Sequence, residues 1–498
     1  MHPNNPYTNN PPNFDHLAIH FPSFSRFISH DPSGKPGIDF KDPDALRELT
    51  RCLLARDFQL DVELPEDRLC PTLANRLDYL YHLLEIFTYL QTMNPSRRLK
   101  VLDIGTGATA IYAILLARLY PSAQIFATGK SFPPSSLVPC SASSHTYPCE
   151  PEINKASHNS ALRTLQRNAL DGSNGVHLKR VTDDAEPLFG QIDSVDLFNG
   201  DNPFTFTLCN PPFYESTEEM RASTSMKVLP THAAPTAAEN ELITPGGEVV
   251  FIERMMEESL KMGEKCLWYT SLIGKASSIP LLADKLAGIK AFGREKVDNY
   301  FILGMRQAHT VRWVLGWSLT DIRLPDSITR TAMPSIARYL PPPNTWTYRP
   351  LERSRKTLDL EDVFVIVSAA LRAAGVQGED EAISSSTASI HAEGIPRGEK
   401  WSRLVAPHTV TWTRVARRNR TQTAEEAPAE PLFLARIHVD VEERDERRKA
   451  LPTSRREKGA PALDVTVALD WQKGRDRTVV DGLWTFLVRK IGDAVRTV

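Results

Sequence analysis

Asn210-Pro211-Pro212-Phe213 is the stretch of this chain with the most chemical content. It directly follows the apolar run Phe206-Thr207-Leu208-Cys209, which reads as a strand, so a rigid turn would present an amide and an aromatic ring at a strand's carboxyl end. The Asn210 side-chain carbonyl and the Pro211 backbone carbonyl can each accept one N–H of an exocyclic amine. Two such acceptors favour a pyramidal nitrogen, which an adenine amine needs because delocalisation into the ring makes it a poor nucleophile. No strong base is then required. Phe213 or Tyr214 adds a face on which a base taken out of its helix can stack, a contact worth roughly 1–3 kcal/mol. Taken alone, the same tetrapeptide also suits a proline turn that merely closes a strand.

A second constellation, Asp103-Ile104-Gly105-Thr106-Gly107-Ala108-Thr109, follows one strand candidate and opens a helix. Its glycines let the backbone approach a ligand closely, and the helix start offers N–H donors to a carboxylate such as that of S-adenosylmethionine. A dinucleotide site begins in a similar way, although the third glycine of G-x-G-x-x-G is missing here. The Asn-Pro-Pro-Phe turn about 100 residues later, where a fourth strand is expected, separates the two cases in favour of a methyl donor. Such a site also needs an acid after its second strand for the ribose hydroxyls. Glu152 meets that need if the Ser- and Pro-rich segment before it loops out, and Glu150 is its rival.

The elements that must position these residues alternate between strand and helix. Lys100–Gly105, ending in a glycine turn, Ala123–Thr128, Val176–Val181, Thr205–Cys209, Cys266–Ile273 and Val311–Leu319 read as strands; Ala108–Tyr120, Asn154–Leu170, Val249–Met262 and Ser277–Leu286 read as helices. That order predicts an α/β, Rossmann-like fold with a mostly parallel, doubly wound sheet and its ligands at the strands' carboxyl ends. Residues 1–98 read as a helical N-terminal extension, with helices over Asp42–Arg56 and Leu77–Leu90. The expected methyltransferase domain is 99–325, with 129–149 a flexible insertion or retained intron sequence. Glu215–Asn240 reads as an irregular substrate loop, and Val297–Ala308 as irregular where a strand would be expected. A proline-rich linker is placed at 326–355. Residues 356–498 read as a small α+β C-terminal domain, with a helix over Asp362–Ala374, strands at Thr409–Ala416, Leu432–Asp440 and Ala462–Trp471, and a last helix over Arg477–Val495.

Bulk composition constrains function mainly by exclusion. The 59 basic and 61 acidic residues nearly cancel, so any nucleic-acid surface must be local rather than global. Basic clusters do occur near the C-terminus, around Arg417 and Arg448. Six cysteines without a C-x-x-C pair suggest neither a zinc site nor a disulfide framework, so no metal is expected. No apolar run approaches the roughly 20 residues needed to cross a bilayer. A soluble, intracellular protein, monomeric or weakly dimeric, in the nucleus or cytoplasm is expected.

In these residues the chain resembles the adenine-N6 RNA methyltransferases typified by methyltransferase-like protein sixteen, which modifies U6 small nuclear RNA, with bacterial relatives acting on large-subunit ribosomal RNA. The likeness begins at Asn5-Pro6-Tyr7 and Asp39-Phe40-Lys41-Asp42-Pro43, and runs through Arg76-Leu77-Asp78-Tyr79, Asp103–Ala108 and Asn210–Tyr214. It continues at Gly246-Gly247-Glu248, Leu272-Ile273-Gly274-Lys275 and Arg312-Trp313. The resemblance implies that Arg76, Asp103, Gly105, Gly107, Thr109, Glu152 and Asn210 border S-adenosylmethionine, and that Asn210, Pro211, Pro212 and Phe213 hold the target adenine. It further implies that Lys41, Tyr214, Lys275 and Arg312 face a structured RNA, with U6 small nuclear RNA the expected one. Leu432-Phe433-Leu434 and Leu469–Gly474 more faintly resemble the accessory RNA-binding region of eukaryotic members. Two other functions fit parts of the pattern: glutamine methylation, which uses a related Asn-Pro-Pro-aromatic turn, and a non-catalytic RNA-binding scaffold.

Overall fold

A computed structural model describes residues 1–130, 152–172, 175–181, 188–189, 202–225, 242–290, 296–307, 310–330, 334–350, 360–376, 378–381, 400–418, 430–443 and 463–497. These form two compact units, one comprising Met1–Thr320 with Ile328–Pro341, the other Asp321–Ser327 with Pro342–Val498.

The first unit opens with two short helices, α1 (Phe14–His20) and α2 (Pro22–Ser25), and a small hairpin, β1 (Ile28–His30) and β2 (Pro36–Ile38). Helix α3 (Pro43–Phe58) starts where Pro43 presets φ and the Asp42 carboxylate accepts the Asp44 N–H at 2.8 Å, and it stops at Gln59 in the left-handed region. Helix α4 (Leu73–Met93) buries the stripe Leu77, Leu80, Leu84 and Phe87. The extreme N-terminus is clasped onto these helices: Asn5 Nδ2 donates to the Ala74 carbonyl at 2.9 Å and the Tyr7 hydroxyl to Asp57 at 2.6 Å.

A seven-stranded sheet follows. Its strands are β3 (Lys100–Ile104), β4 (Gln124–Lys130), β5 (Val176–Val181), β6 (Phe204–Cys209), β7 (Cys266–Ile273), β8 (Tyr300–Gln307) and β9 (Thr310–Trp317), in the order β5-β4-β3-β6-β7-β9-β8. Pairings from β5 through β7 are parallel, and β9 runs antiparallel to both β7 and β8. β3, β6 and β7 are buried at every position, as central strands covered on both faces must be. Helices α5 (Ile111–Leu119), α6 (Glu152–Arg167), α7 (Thr217–Ser225), α8 (Gly247–Met262) and α9 (Ser278–Gly288) fall between strands. This is the expected Rossmann-like arrangement, with its switch point between β3 and β4 on one side and β6 on the other.

The second unit is a five-stranded antiparallel sheet, β10 (Thr345–Tyr348), β11 (Gly378–Glu381), β12 (Lys400–Val405), β13 (Phe433–Glu443) and β14 (Leu463–Gly474), ordered β10-β14-β13-β12-β11. Helices α10 (Leu360–Ala374) and α11 (Arg477–Thr497) contribute Val363, Val367, Leu371, Leu483 and Leu487 to its core, opposite Ile437, Val439, Val467 and Trp471.

Four expectations are corrected. Val297–Ala308 contains β8, an edge strand whose Phe301 and Leu303 are buried. Glu215–Asn240 is not irregular throughout, since Thr217–Ser225 is helical; its remainder from 226 lies outside the described residues. Thr409–Ala416 is not a strand: Arg414–Arg418 is one helical turn, and the strand at this place in the sheet is Lys400–Val405. Thr345–Tyr348, within the expected linker, is an edge strand paired to β14. Of the expected insertion at 129–149, only Gly129 and Lys130, which end β4, are described.

Candidate active site

The register of the sheet brings the two sequence constellations together. β3 and β6 are neighbours, with Ile104 level with Cys209, so the chain leaves the sheet side by side at Gly105 and at Asn210. A cavity of about 140 Å³ opens between these exits, lined by Gly105, Gly107, Tyr112, Asn210 and Pro212, with Arg76 at its side.

Its glycine wall is required by backbone conformation. Gly105 and Gly107 both have φ +70°, and nothing stands within 4 Å of where a side chain would begin, so the loop is an open cradle. The loop is also held from behind. The Thr106 N–H donates to the Thr128 carbonyl at 2.9 Å and the Thr106 hydroxyl to the Asp103 carboxylate at 2.7 Å. Burial pushes Asp103 up to about 7, against the lowering pull of Thr106 and Arg76. Asp103 therefore supports the loop from beneath. Thr109 is buried, and Ile111 and Tyr112, the first residues of α5, line the cavity where that helix begins.

Arg76, in the first turn of α4, donates through Nη1 to the Tyr112 hydroxyl at 2.9 Å and lies 5.4 Å from that ring's centre. Its Nε is buried without a hydrogen-bond partner. A buried donor of an always-charged group at the wall of a cavity calls for an anion, and with the α5 N-terminus it forms a fit for a carboxylate. Opposite, the side-chain amide of Asn210 makes no hydrogen bond among the described residues, so its carbonyl is available to a ligand. Pro211 and Pro212 are buried and hold this turn. A further brace was not visible in sequence: the Tyr79 hydroxyl of α4 sits 2.7 Å from Thr270 Oγ1 and accepts the Cys209 N–H at 3.4 Å, next to Asn210.

Phe213 and Tyr214 follow. Arg312 of β9 lies over the Phe213 ring at 4.9 Å, and Lys275 over the Tyr214 ring at 5.2 Å. Burial, with the charge of Arg76 second, lowers the Arg312 pKa. Lys275 is in an ion pair with Glu219 of α7. Lys41 is exposed before α3 and does not line the cavity. Glu152 begins α6, but its side chain and Glu150 lie outside the described residues; α6 reaches the cavity with Ser157 and His158. Glu248 is a residue whose part was not legible from sequence. It is buried in the first turn of α8 and accepts the Gly274 and Lys275 N–H groups at 2.7 and 3.0 Å and the Ser278 hydroxyl at 2.6 Å.

One cluster among the described residues has metal-ligand chemistry, His2 with His82 and Glu85. The Asn4 N–H donates to His2 Nδ1 at 3.1 Å, so the ring proton sits on Nε2 and donates to Glu85 at 3.3 Å. That tautomer makes the cluster a hydrogen-bonded clasp.

A mostly parallel sheet with a glycine cradle after its first strand and a free amide after its fourth defines a nucleotide-type donor pocket beside an amine-acceptor turn, the architecture of a methyltransferase. The profile of an RNA methyltransferase family matches residues 1–129 and 146–321, and the chain belongs to that family. It is 32% identical over 327 residues to the U6 small nuclear RNA (adenine-(43)-N(6))-methyltransferase of Schizosaccharomyces pombe, covering 65% of this chain and 74% of that one. The Caenorhabditis elegans protein of the same name is 31% identical over 362 residues, 68% of this chain and 67% of its own. Human RNA N(6)-adenosine-methyltransferase METTL16 is 28% identical over 345 residues, and the chain spans only 54% of its length. Among solved structures, the hMettl16 catalytic domain in complex with the MAT2A 3'UTR hairpin 6 superposes with a TM-score of 0.52 at 27% identity, over 64% of this chain and 98% of that domain. The complex with hairpin 1 gives 0.51 at 27% identity.

Proposed function

We propose that this chain transfers a methyl group from S-adenosylmethionine to N6 of an adenosine in a structured RNA, and that the RNA is U6 small nuclear RNA. The observation that carries the reading is the adjacency of the unpaired Asn210 carbonyl and the Gly105–Thr109 cradle on neighbouring strands. Arg76 and the α5 N-terminus hold the donor's carboxylate, the Gly105 and Gly107 backbone lets the donor lie close, and Glu152 takes the ribose hydroxyls. The donor, when bound, supplies an electrophilic sulfonium methyl group. Asn210 and the Pro211 carbonyl accept the two N–H groups of the adenine amine and aim its lone pair into the cavity, while Phe213 stacks the flipped base. The rigidity of Pro211 and Pro212 keeps both acceptors in place before the base arrives. Tyr214, Lys275, Arg312 and the distant Lys41 contact the RNA, and the second unit adds a tethered RNA-binding surface. A nuclear location follows from that substrate. No helix of the described residues is long and apolar enough to cross a membrane.

The test is to incubate the chain with a methyl-labelled donor and a U6 stem-loop, digest the RNA to nucleosides and identify the labelled one. N6-methyladenosine is expected; label in another nucleoside, or in protein glutamine, overturns the reading.

A further inference from the structure

Gly274 is not a glycine for conformational reasons. Its φ lies outside the left-handed region, unlike Gly246 and Gly247 at φ +74° and +62°. Its missing side chain is a matter of space: a Cβ at Gly274 would stand 2.6 Å from Cδ1 and 3.0 Å from Cε1 of Phe213, and 3.1 Å from Oε2 of Glu248. The edge of that ring therefore rests on the bare Gly274 backbone, while the Arg312 guanidinium lies over its face. The height of the Gly274 backbone is in turn set by Glu248, whose carboxylate takes the Gly274 and Lys275 amides and the Ser278 hydroxyl together.

The same short segment also fixes the other end of the turn. Just before α8, the Leu242 carbonyl accepts the Tyr214 N–H and the Thr244 N–H donates to the Tyr214 carbonyl, both at 2.9 Å. Backbone and ring of the Phe213–Tyr214 pair are thus referenced to one rigid body, the start of α8. A helix cap alone does not call for a carboxylate that is only 1% exposed. Burial of such a charge is costly unless several donors converge on it, and three do.

We propose that Glu248 and Gly274 are positioning residues that set the plane of Phe213 and so the width of the slot for the target base, an inference that rests on the reading of Phe213 as the stacking ring. Neither touches the reacting atoms. Any side chain at position 274 forces the ring out of its observed plane, and displacement of a bound group by about 1 Å can cost on the order of 100-fold in rate.

A double-mutant cycle on the full chain tests this. Gly274→Ala is expected to lower kcat at least about thirty-fold, with KM for the U6 stem-loop, affinity for S-adenosylhomocysteine by calorimetry, and Tm close to wild type. In a Phe213→Ala background, Gly274→Ala should change kcat by less than about twofold, because the ring it displaces is gone. Losses that multiply, or a Gly274→Ala enzyme with wild-type kcat, overturn the proposal. Glu248→Gln places an amide donor against a backbone donor and should show the same coupling to Phe213→Ala; should it fail to fold, the Gly274 cycle decides alone. The cycle is read again without turnover, as quenching of 2-aminopurine placed at the target position of the stem-loop: Gly274→Ala should lose quenching only where Phe213 is present. Label on a nucleoside other than adenosine refutes the assigned reaction but leaves the cycle intact, so the two failures are distinguishable.

Discussion

Replacing Asn210 separates binding of the donor from use of the amine. Its amide lines the cavity and is unpaired among the described residues, so Asn210→Ala breaks no internal hydrogen bond and opens little of the core. The lost interaction is the one made to the target amine as positive charge develops on its nitrogen. A hydrogen bond to a charged partner is worth about 1.5–3 kcal/mol, which corresponds to roughly 10- to 150-fold in kcat. Asn210→Asp keeps an acceptor oxygen at the same place and should stay within about tenfold of wild type. Single-turnover methylation of the U6 stem-loop gives the rate, and calorimetry with S-adenosylhomocysteine gives donor affinity, expected to change less than about twofold. The reasoning is refuted if Asn210→Ala loses donor binding in proportion to its rate, since the amide would then serve the donor rather than the amine.

Three further outcomes follow from the same geometry. Burial raises Asp103 from an ordinary carboxyl to about 7, so the folded state favours its protonated form. That contribution is complete below the unfolded pKa and is lost as pH rises to about 7, so the Tm advantage of Asp103→Asn over wild type should grow from pH 5 to pH 7 and then level off in calorimetric scans. Tyr79→Phe leaves the Cys209 N–H and the Thr270 hydroxyl side without their shared partner, and should cost about 1–3 kcal/mol of stability, seen as a Tm lower by several degrees. Glu219→Gln frees Lys275 from its ion pair; RNA binding should tighten, and the dependence of log Kd on log salt should steepen by about 0.7, as filter binding at several salt concentrations would show.

Much of the sheet was legible because central parallel strands are continuous apolar runs. Cys266–Ile273 stands at its expected bounds, the first strand stops at Ile104, one residue before the expected Gly105, and the strand before Asn210 begins one residue earlier, at Phe204. The sequence placed Asn210 after an expected fourth strand, and the sheet sets that strand beside the one that ends at Gly105. Other strands were harder: the edge strand Tyr300–Gln307 and the inner strand Lys400–Val405 mix polar and apolar residues, and Thr409–Ala416 alternates like a strand while its end coils into a turn. The Glu248 network could not be read because its partners lie 26, 27 and 30 residues away and meet only when β7 and α8 pack. A glycine that is small for contact looks, in sequence, like one that is small for a turn; Gly274 is crowded by Phe213, whereas Gly105 stands in open space at φ +70°.

The most direct test is a crystal structure of the chain with S-adenosylhomocysteine bound. The ligand's carboxylate is expected on Arg76 and the α5 N-terminus, and its sulfur facing the Asn210 side-chain carbonyl across the gap between β3 and β6. A ligand seated elsewhere on the sheet, or an Asn210 amide turned away from the sulfur, would contradict it.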